Sequence, residues 1–492
     1  MSSDKFIPTP AGTRVPAPTA VQSFARRQVF PRAPITNASW AGGSEAQFSF
    51  QASGTECFVA SQSRLVLKMH VRSNIAGAGA QIAGAVGAFD RPPAKSVRLA
   101  QDPVARAFSS ARLAIGGVTV TNTGADLQDV ATIIGRTQGT KAGGAAAGSA
   151  GMLGFDQRLT HPEVALGDAT ALSYHSVATR NSKHTVLQDS GGLEFEVSTP
   201  LGNLIPFFMQ DKTYLRDLDF DARFVVNSHF QTDMLVTAAI AAAARAQGLS
   251  VADAHVGAGG AGVAEADRTF AQLLPGIAAA GADSHVVTVT DCYIDACYAI
   301  PSAPLPPLRS MQIPFSDITL YTRPLVAGQA NFTETFSGIP PSTSAIIVAL
   351  RTDVHALNQN RELYSLGGSA TGIKSLQITA GQYVAPTPSY LLNLPRRAAS
   401  RAASDYYDFV GGSARDGAGG FSIDEWCDAP LLCFRLLQPK GTYSPTMTAR
   451  LELLAGAAAN TQLLVACVHS RVAEMYFEQG QMTSLNIDEV IA

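Results

Sequence analysis

Between Gly192 and Val226 the chain alternates, turns uniformly apolar, and alternates again. In Leu193-Glu194-Phe195-Glu196-Val197 apolar residues take every second place, the period of a strand with one buried and one solvated face. Pro200 ends that ladder because it has no N–H to donate. Leu201, Leu204, Ile205, Phe207 and Phe208 then form a knot too apolar to leave in water, and Leu218, Phe220, Ala222, Phe224 and Val226 resume the period. The pattern predicts a strand, a structural corner over Pro200, Leu201, Leu204, Phe207 and Phe208, and a return strand. Together they form a piece of a β-sandwich with the corner plugging one end.

The same period recurs on both sides. Gln47-Phe48-Ser49-Phe50-Gln51, residues 64–71, 108–115 and 118–120 around the turn Gly116-Gly117, and 285–299 read as antiparallel strands. Pro301, Pro304, Pro306 and Pro307 then favour an extended, stiff joint. Beyond it strands are expected over 312–321, 330–336, 345–351, 375–378, 430–437, 446–454 and 462–476. Helical spacing appears over 124–137, with Leu127, Val130, Ile133 and Ile134 on one face. Ala-rich 232–247 and residues 264–275 also read as helices, inside a long insertion at 229–284. Residues 76–88 and 139–151 are Gly/Ala loops. The division is a basic arm at 1–45, a first domain at 46–302 and a second at 303–492. The second half repeats the order of the first, and eight or so short strands with long Gly-rich connections favour an all-β sandwich or jelly roll over an α/β fold, with short helices in insertions.

Composition changes this picture in two ways. Charged residues make up 15% of the 492, against roughly a quarter in average soluble proteins, so much of the surface is neutral or covered by other copies. The net charge of -3 gives no global field for nucleic acid or membrane. The arm is the exception: Lys5, Arg14, Arg26, Arg27 and Arg32 stand against Asp4 within residues 1–37. It reads as an extended segment that touches nucleic acid, acidic lipid or a partner; a tail packed under its own subunit fits the same composition. Cys57, Cys292, Cys297, Cys427, Cys433 and Cys467 form no CxxC pair and several lie in apolar runs, the signature of buried free thiols. No signal-peptide core and no run of membrane-spanning length is evident, so a soluble, non-secreted protein of a reducing compartment is expected.

Candidate chemistry does not assemble. Gly257-Ala-Gly259-Gly-Ala-Gly262 has the GxGxxG form, with Asp283 at a suitable distance for a ribose contact, but a poor strand precedes it. The nine histidines, His70 and His469 among them, show no metal-ligand spacing. Ser109-Ser110 and Ser342-Thr-Ser344 lack a nucleophile elbow. Asp217, Asp219 and Asp221 fall at period two opposite Phe220, a solvated strand face without a calcium loop around it. Trp40 and Trp426 stand alone, with no basic groove for a single strand, and Asn37 and Asn331 match the glycosylation pattern without a secretory signal. The expectation is a non-enzyme without cofactor or metal.

The stretch Phe195-Glu-Val-Ser-Thr-Pro200-Leu-Gly-Asn-Leu204-Ile-Pro-Phe-Phe208 resembles the F-x-V-x-x-P-L-x-x-L-x-x-F segment of double jelly-roll major capsid proteins of polinton-like viruses, adintoviruses and virophages. Ser310-Met-Gln-Ile-Pro-Phe315 and Ile339-Pro-Pro-Ser-Thr-Ser-Ala-Ile-Ile-Val-Ala-Leu350 are similar to the opening of that family's second jelly roll. Residues 373–384 with Pro386, and Thr461-Gln-Leu-Leu-Val-Ala-Cys-Val468 with Met475-Tyr-Phe477, resemble later strands. The 229–284 insertion and the 139–151 loop have no counterpart in the resemblance. It implies an all-β double jelly roll, two tandem eight-stranded jelly rolls with short helices in insertions, and a major capsid protein of a DNA virus, a virion component whose homotrimer forms a pseudo-hexameric capsomer of an icosahedral capsid. Penton and minor capsid proteins are the implied partners. The insertions would form outward loops, and the arm, through Arg14, Arg26, Arg27 and Arg32, would lie on the inner face toward genome or internal membrane. The alternative is a non-viral β-sandwich module that binds a glycan or other ligand. A cupin-type enzyme comes third, since its histidine spacing is absent.

Overall fold

The computed structural model describes residues 24–32, 40–73, 97–99, 103–138, 193–209, 215–237, 285–301, 305–352, 372–410, 426–436, 444–457 and 461–489, some positions within these ranges excepted. The first part carries β1 (Phe24–Arg32), β2 (Glu45–Ala52), β3 (Cys57–Phe58), β4 (Arg64–Ser73), β5 (Val97–Leu99), α1 (Pro103–Arg106), β6 (Phe108–Ile115), β7 (Val118–Asn122) and α2 (Leu127–Gln138). It continues with β8 (Leu193–Pro200), α3 (Leu201–Leu204), β9 (Leu218–Val226), β10 (Leu235–Thr237) and β11 (His285–Pro301). The second part carries β12 (Ser310–Pro324), β13 (Asn331–Ser337), β14 (Thr343–Thr352), β15 (Ile373–Ala380) and β16 (Tyr383–Leu391). After α4 (Ser400–Val410) come β17 (Leu432–Arg435), β18 (Thr446–Leu453), β19 (Thr461–Glu478) and β20 (Gln481–Glu489).

These strands build two antiparallel sandwiches of one topology. In the first, β1-β11-β4-β8 faces β2-β9-β6-β7; in the second, β12-β19-β14-β17 faces β13-β18-β15-β16. With the short β3, β5 and β10 and the C-terminal β20 set aside, each sandwich has eight strands. In both, the first, eighth, third and sixth make one sheet and the second, seventh, fourth and fifth make the other. That is a jelly roll, twice.

Alternation explains the strands with one solvated face. In β9, Leu218, Phe220, Ala222, Phe224 and Val226 are buried while the residues between them reach solvent to varying degrees. In β14 and β19 alternation fails: Ala345 to Leu350 and Leu463 to Val468 are buried without interruption. A strand that reads as a continuous apolar run is covered on both sides, and here Ile133 of α2, from the first roll, joins the second roll's core.

Three expectations are corrected. The arm does not extend unbroken to residue 45, because β1 pairs with β11 from Phe24↔Pro301 to Arg32↔Ile294. Backbone hydrogen bonding adds this strand to the edge of a sheet, and such pairing does not require an alternating pattern in FARRQVFPR. Within the Ala-rich helix expected over 232–247, residues 235–237 are instead strand β10, which pairs with β5 in a two-stranded ribbon, pairing overriding helix propensity there; the rest of that segment lies outside the described residues. Asp217 is not part of the strand that carries Asp219 and Asp221: it precedes β9 with a positive φ of 57°. The expected loops at 76–88 and 139–151, the helix at 264–275 and the Gly-rich motif at 257–262 with Asp283 lie outside the described residues, as do Arg14 and Asn37.

Candidate functional site

The corner after β8 is the connection that carries the chain from one sheet of the first roll to the other. Pro200 closes β8, and the chain then makes α3 and a 3-10 turn at Pro206–Met209 before crossing to β9. Leu201 donates its N–H to Ser63 O at 3.0 Å, Ile205 to Leu201 O at 2.8 Å and Phe208 to Ile205 O at 2.9 Å, so the tight path leaves these amides paired. A Cβ on Gly202 would stand 3.0 Å from Phe208 O and 3.1 Å from Met209 Cα, which is why the tightest point carries no side chain. Leu201, Leu204, Ile205, Phe207 and Phe208 are completely buried and Pro200 is half-buried. Phe208 meets Phe58 and Phe220 edge-on, at 5.7 and 5.8 Å between ring centroids.

Phe207 points elsewhere. Its ring lies 5.2 Å from that of Phe315, edge to face, and Phe315 belongs to β12 of the second roll. The corner therefore plugs its own sandwich and seals the seam between the rolls. Ile313 and Phe315 of β12, Ala473, Met475 and Phe477 of β19 and Leu485 of β20 all lie in the first roll's core. These residues sit where β19 has run past β14: His469 still pairs with β14, whereas Arg471 to Glu478 pair with β20. The extension also carries Arg471, which donates through Nη1 to Asp317 Oδ2 at 3.0 Å and to Val120 O of β7 at 3.3 Å. At the neighbouring hairpin turn Gly116, with φ at 55°, a side chain would collide with the Met482 methyl.

A second contact closes the seam through α2. Its buried Asp129 forms an ion pair with the partly exposed Arg351 at the end of β14, and Arg351 also donates Nε to Gln462 Oε1 at 2.8 Å. Tyr406 of α4 donates its hydroxyl to Arg136 O at 2.7 Å. Asp126, at the start of α2, is pushed above the ordinary carboxylate value by burial and then by the negative charge of Asp129, with Arg351 opposing.

The other sequence candidates separate. Asp221 accepts from Gln47 Nε2 at 2.9 Å and from Arg223 Nη2 at 2.7 Å, and Arg223 Nη1 stands 3.4 Å from Glu45; Asp219 is exposed on the same sheet face. Asp217 stands 3.9 Å from Arg216 Nε. Among the described residues no three metal-capable side chains cluster. All six cysteines are buried, and burial pushes up the thiols of Cys57 (to about 11), Cys467 (to about 12), Cys292 and Cys433, the opposite of an activated nucleophile. Arg26 and Arg27 are residues of β1, and the Arg32 guanidinium lies 5.8 Å from the centre of the Tyr298 ring. The inter-roll contacts had no signature in the sequence. The one available hint was the length of the apolar run at 463–468, too continuous for a half-solvated strand.

No family model and no curated protein matches the chain. Among solved structures it is similar to a chain of the Sputnik virophage determined by cryo-EM, with a TM-score of 0.58 and 12% identity over 99% of this chain and 93% of that one. It is also similar to the mavirus major capsid protein, with a TM-score of 0.51 and 13% identity over 98% of this chain and 93% of that one. At these identities the shared property is the fold: a double jelly roll aligned over nearly the whole of each chain.

Proposed function

We propose that the chain is a major capsid protein, a structural subunit that trimerises into a pseudo-hexameric capsomer and tiles an icosahedral shell. The observation that carries this reading is the joining of two jelly rolls of one topology through a shared buried apolar seam, in a chain that aligns over 98% of its length with the mavirus major capsid protein. A joined pair of similar modules supplies two of the six positions around a capsomer, and three copies complete it. The low charge suits permanent interfaces, whose cores are depleted in charged side chains. Penton and minor capsid proteins are the expected partners, and the mature location is the virion.

Light scattering of the purified chain tests this. The expected mass is three times the 51.4 kDa of one chain, with six-lobed particles in negative stain. A monomer that binds a glycan would replace the reading with the β-sandwich binding module. For the inner-face arm, support now rests on residues 1–23, where Lys5 and Arg14 stand against Asp4, since Arg26, Arg27 and Arg32 lie in β1. Removing residues 1–23 is expected to leave trimers intact and to weaken shell or genome association; unchanged shells with full genome content would argue against the arm's role.

A further inference from the structure

At His469 the strand β19 changes neighbours. His469 lies opposite Asp317 of β12 on one side and Thr343 of β14 on the other; from Arg471 onward β20 takes the place of β14. Only 4% of His469 is exposed, and its Nε2 stands 3.1 Å from Thr319 Oγ1. Residues directly paired across an antiparallel ladder put their side chains on one face, about 5 Å apart, so Asp317 and His469 share a face with Arg471 next along it. Both oxygens of Asp317 are engaged: Oδ1 accepts the Ile318 N–H at 3.0 Å and Oδ2 accepts Arg471 Nη1 at 3.0 Å. The same Arg471 nitrogen crosses the seam to Val120 O of the first roll at 3.3 Å, and the guanidinium lies 5.8 Å from the centre of the Phe315 ring.

Among the described residues, the elements around His469 offer it no nearer carboxylate than Asp317. On β19 the preceding residue of the same face is Cys467, a thiol that burial pushes up to about 12. On β14 Ser342, Thr343 and Ser344 are uncharged, and the turn Pro206–Met209 that packs on β12 through Phe207 carries no charge. On β13 Glu334 shares the face of Phe332 and Phe336, and Phe336 meets Tyr321 and Arg323, further along β12 from Asp317. With a neutral imidazole, Asp317 and Arg471 therefore balance one another. A proton on His469 adds a second cation beside one carboxylate, in a place too buried for water to solvate it.

We propose that His469 is an acid-operated release for one fastening of the seam: the imidazolium draws Asp317 Oδ2 away from Arg471, and Arg471 gives up Val120 O. Arg471 has somewhere to go, since a quarter of its side chain is already exposed. The proton comes from solvent and stays on the imidazole, and histidine titrates between about pH 5 and 8, so the release falls in mild acid. The seam's other fastenings, Phe207 on Phe315 and Asp129 with Arg351, contain no histidine and keep the rolls together. The change is therefore local to β7 and the last third of β19. It acts within one chain and stands apart from the capsid reading.

Amide hydrogen exchange of the full chain at about pH 7.5 and about pH 5, corrected for the intrinsic pH dependence of exchange, tests the release across the range in which histidine titrates. In the wild type, residues 118–122 and 471–478 should exchange about tenfold faster at the lower pH, the change expected when one hydrogen bond to a charged group is lost. Residues 345–350, in the second roll's core, should not respond. His469→Gln keeps a polar group beside Thr319 and does not titrate, so its exchange should be equal at the two pH values. No response in the wild type, or the same response in His469→Gln, would overturn the proposal. If His469→Gln fails to fold, Arg471→Gln decides the matter at a partly exposed position. With the fastening absent from the start, acid should add nothing at 118–122, and a further tenfold there would overturn the release.

Discussion

Phe207 shows how much one side chain does when it serves two cores. It is completely buried and touches both Phe208 of its own corner and Phe315 of the other roll. Truncation to Ala is expected to destabilise the chain by about 3–5 kcal/mol, read as a lower denaturant midpoint. Phe207→Asp, which buries an unpaired charge, should abolish soluble trimer altogether; normal trimers from that variant would show the corner to be peripheral. Asp126 makes the opposite case. Its pKa is raised above the ordinary 3.8 by burial and by Asp129, so the folded chain holds this proton more tightly than the unfolded one. Its effect on stability is therefore most favourable below the ordinary value and is lost as pH rises through the raised one. Asp126→Asn, which keeps a good helix-start residue, should raise the melting temperature near neutral pH and show no gain in acid. A gain that is the same at every pH would mean that titration of Asp126 is not its source.

Among the elements, β20 and the last third of β19 do the work of a clasp. Leu485 and the half-buried Met482 and Ile487 pack on the first roll's core, and Arg471 reaches Val120 O. Removing residues 481–492 should leave the second sandwich folded, since β13, β15, β16 and β18 make no pairing with β20. It should nevertheless expose the seam, seen as dye binding to apolar surface and faster proteolysis between the rolls; a truncated chain as resistant as the parent would show the clasp to be dispensable. The other fastening is the ion pair of the buried Asp129 with Arg351, whose side chain reaches partly into solvent. Breaking such a pair costs about 3–5 kcal/mol because the remaining charge is left uncompensated; Asp129 is the more deeply buried partner. Arg351→Ala should accordingly be more damaging than Asp129 and Arg351 replaced together by apolar residues of similar volume. Equal losses from the two would place the value of the pair in packing.

For the whole molecule, the two rolls are separate in sequence and inseparable in packing. The strands at 193–197 and 218–226 and the apolar run between them were legible, because period two and an unbroken apolar stretch each leave a local pattern. Three elements left less to read. The helix α4 sits in a segment with its buried residues spread as Ala402, Ala403, Tyr406, Phe409 and Val410, two of them alanines that carry little signal. In β16, Pro386 and Pro388 argue against a strand everywhere except at an edge, where it lies. In β1, the pairing is made by backbone groups, which no side-chain pattern reports.

What the amino-acid order determined by itself was which residues leave water: period-two runs, an apolar corner, six buried thiols and a low charge sufficed for two antiparallel sandwiches. What only the tertiary structure decided was the neighbour each buried face meets. Phe207 was bound to be buried, since nothing in its surroundings could solvate it; that it is buried against Phe315, more than a hundred positions further along the chain, follows from β12 and β19 running past their own sandwich into the next. Hydrophobic burial is non-directional, so the sequence can demand cover for a face while the path of the backbone chooses what provides it.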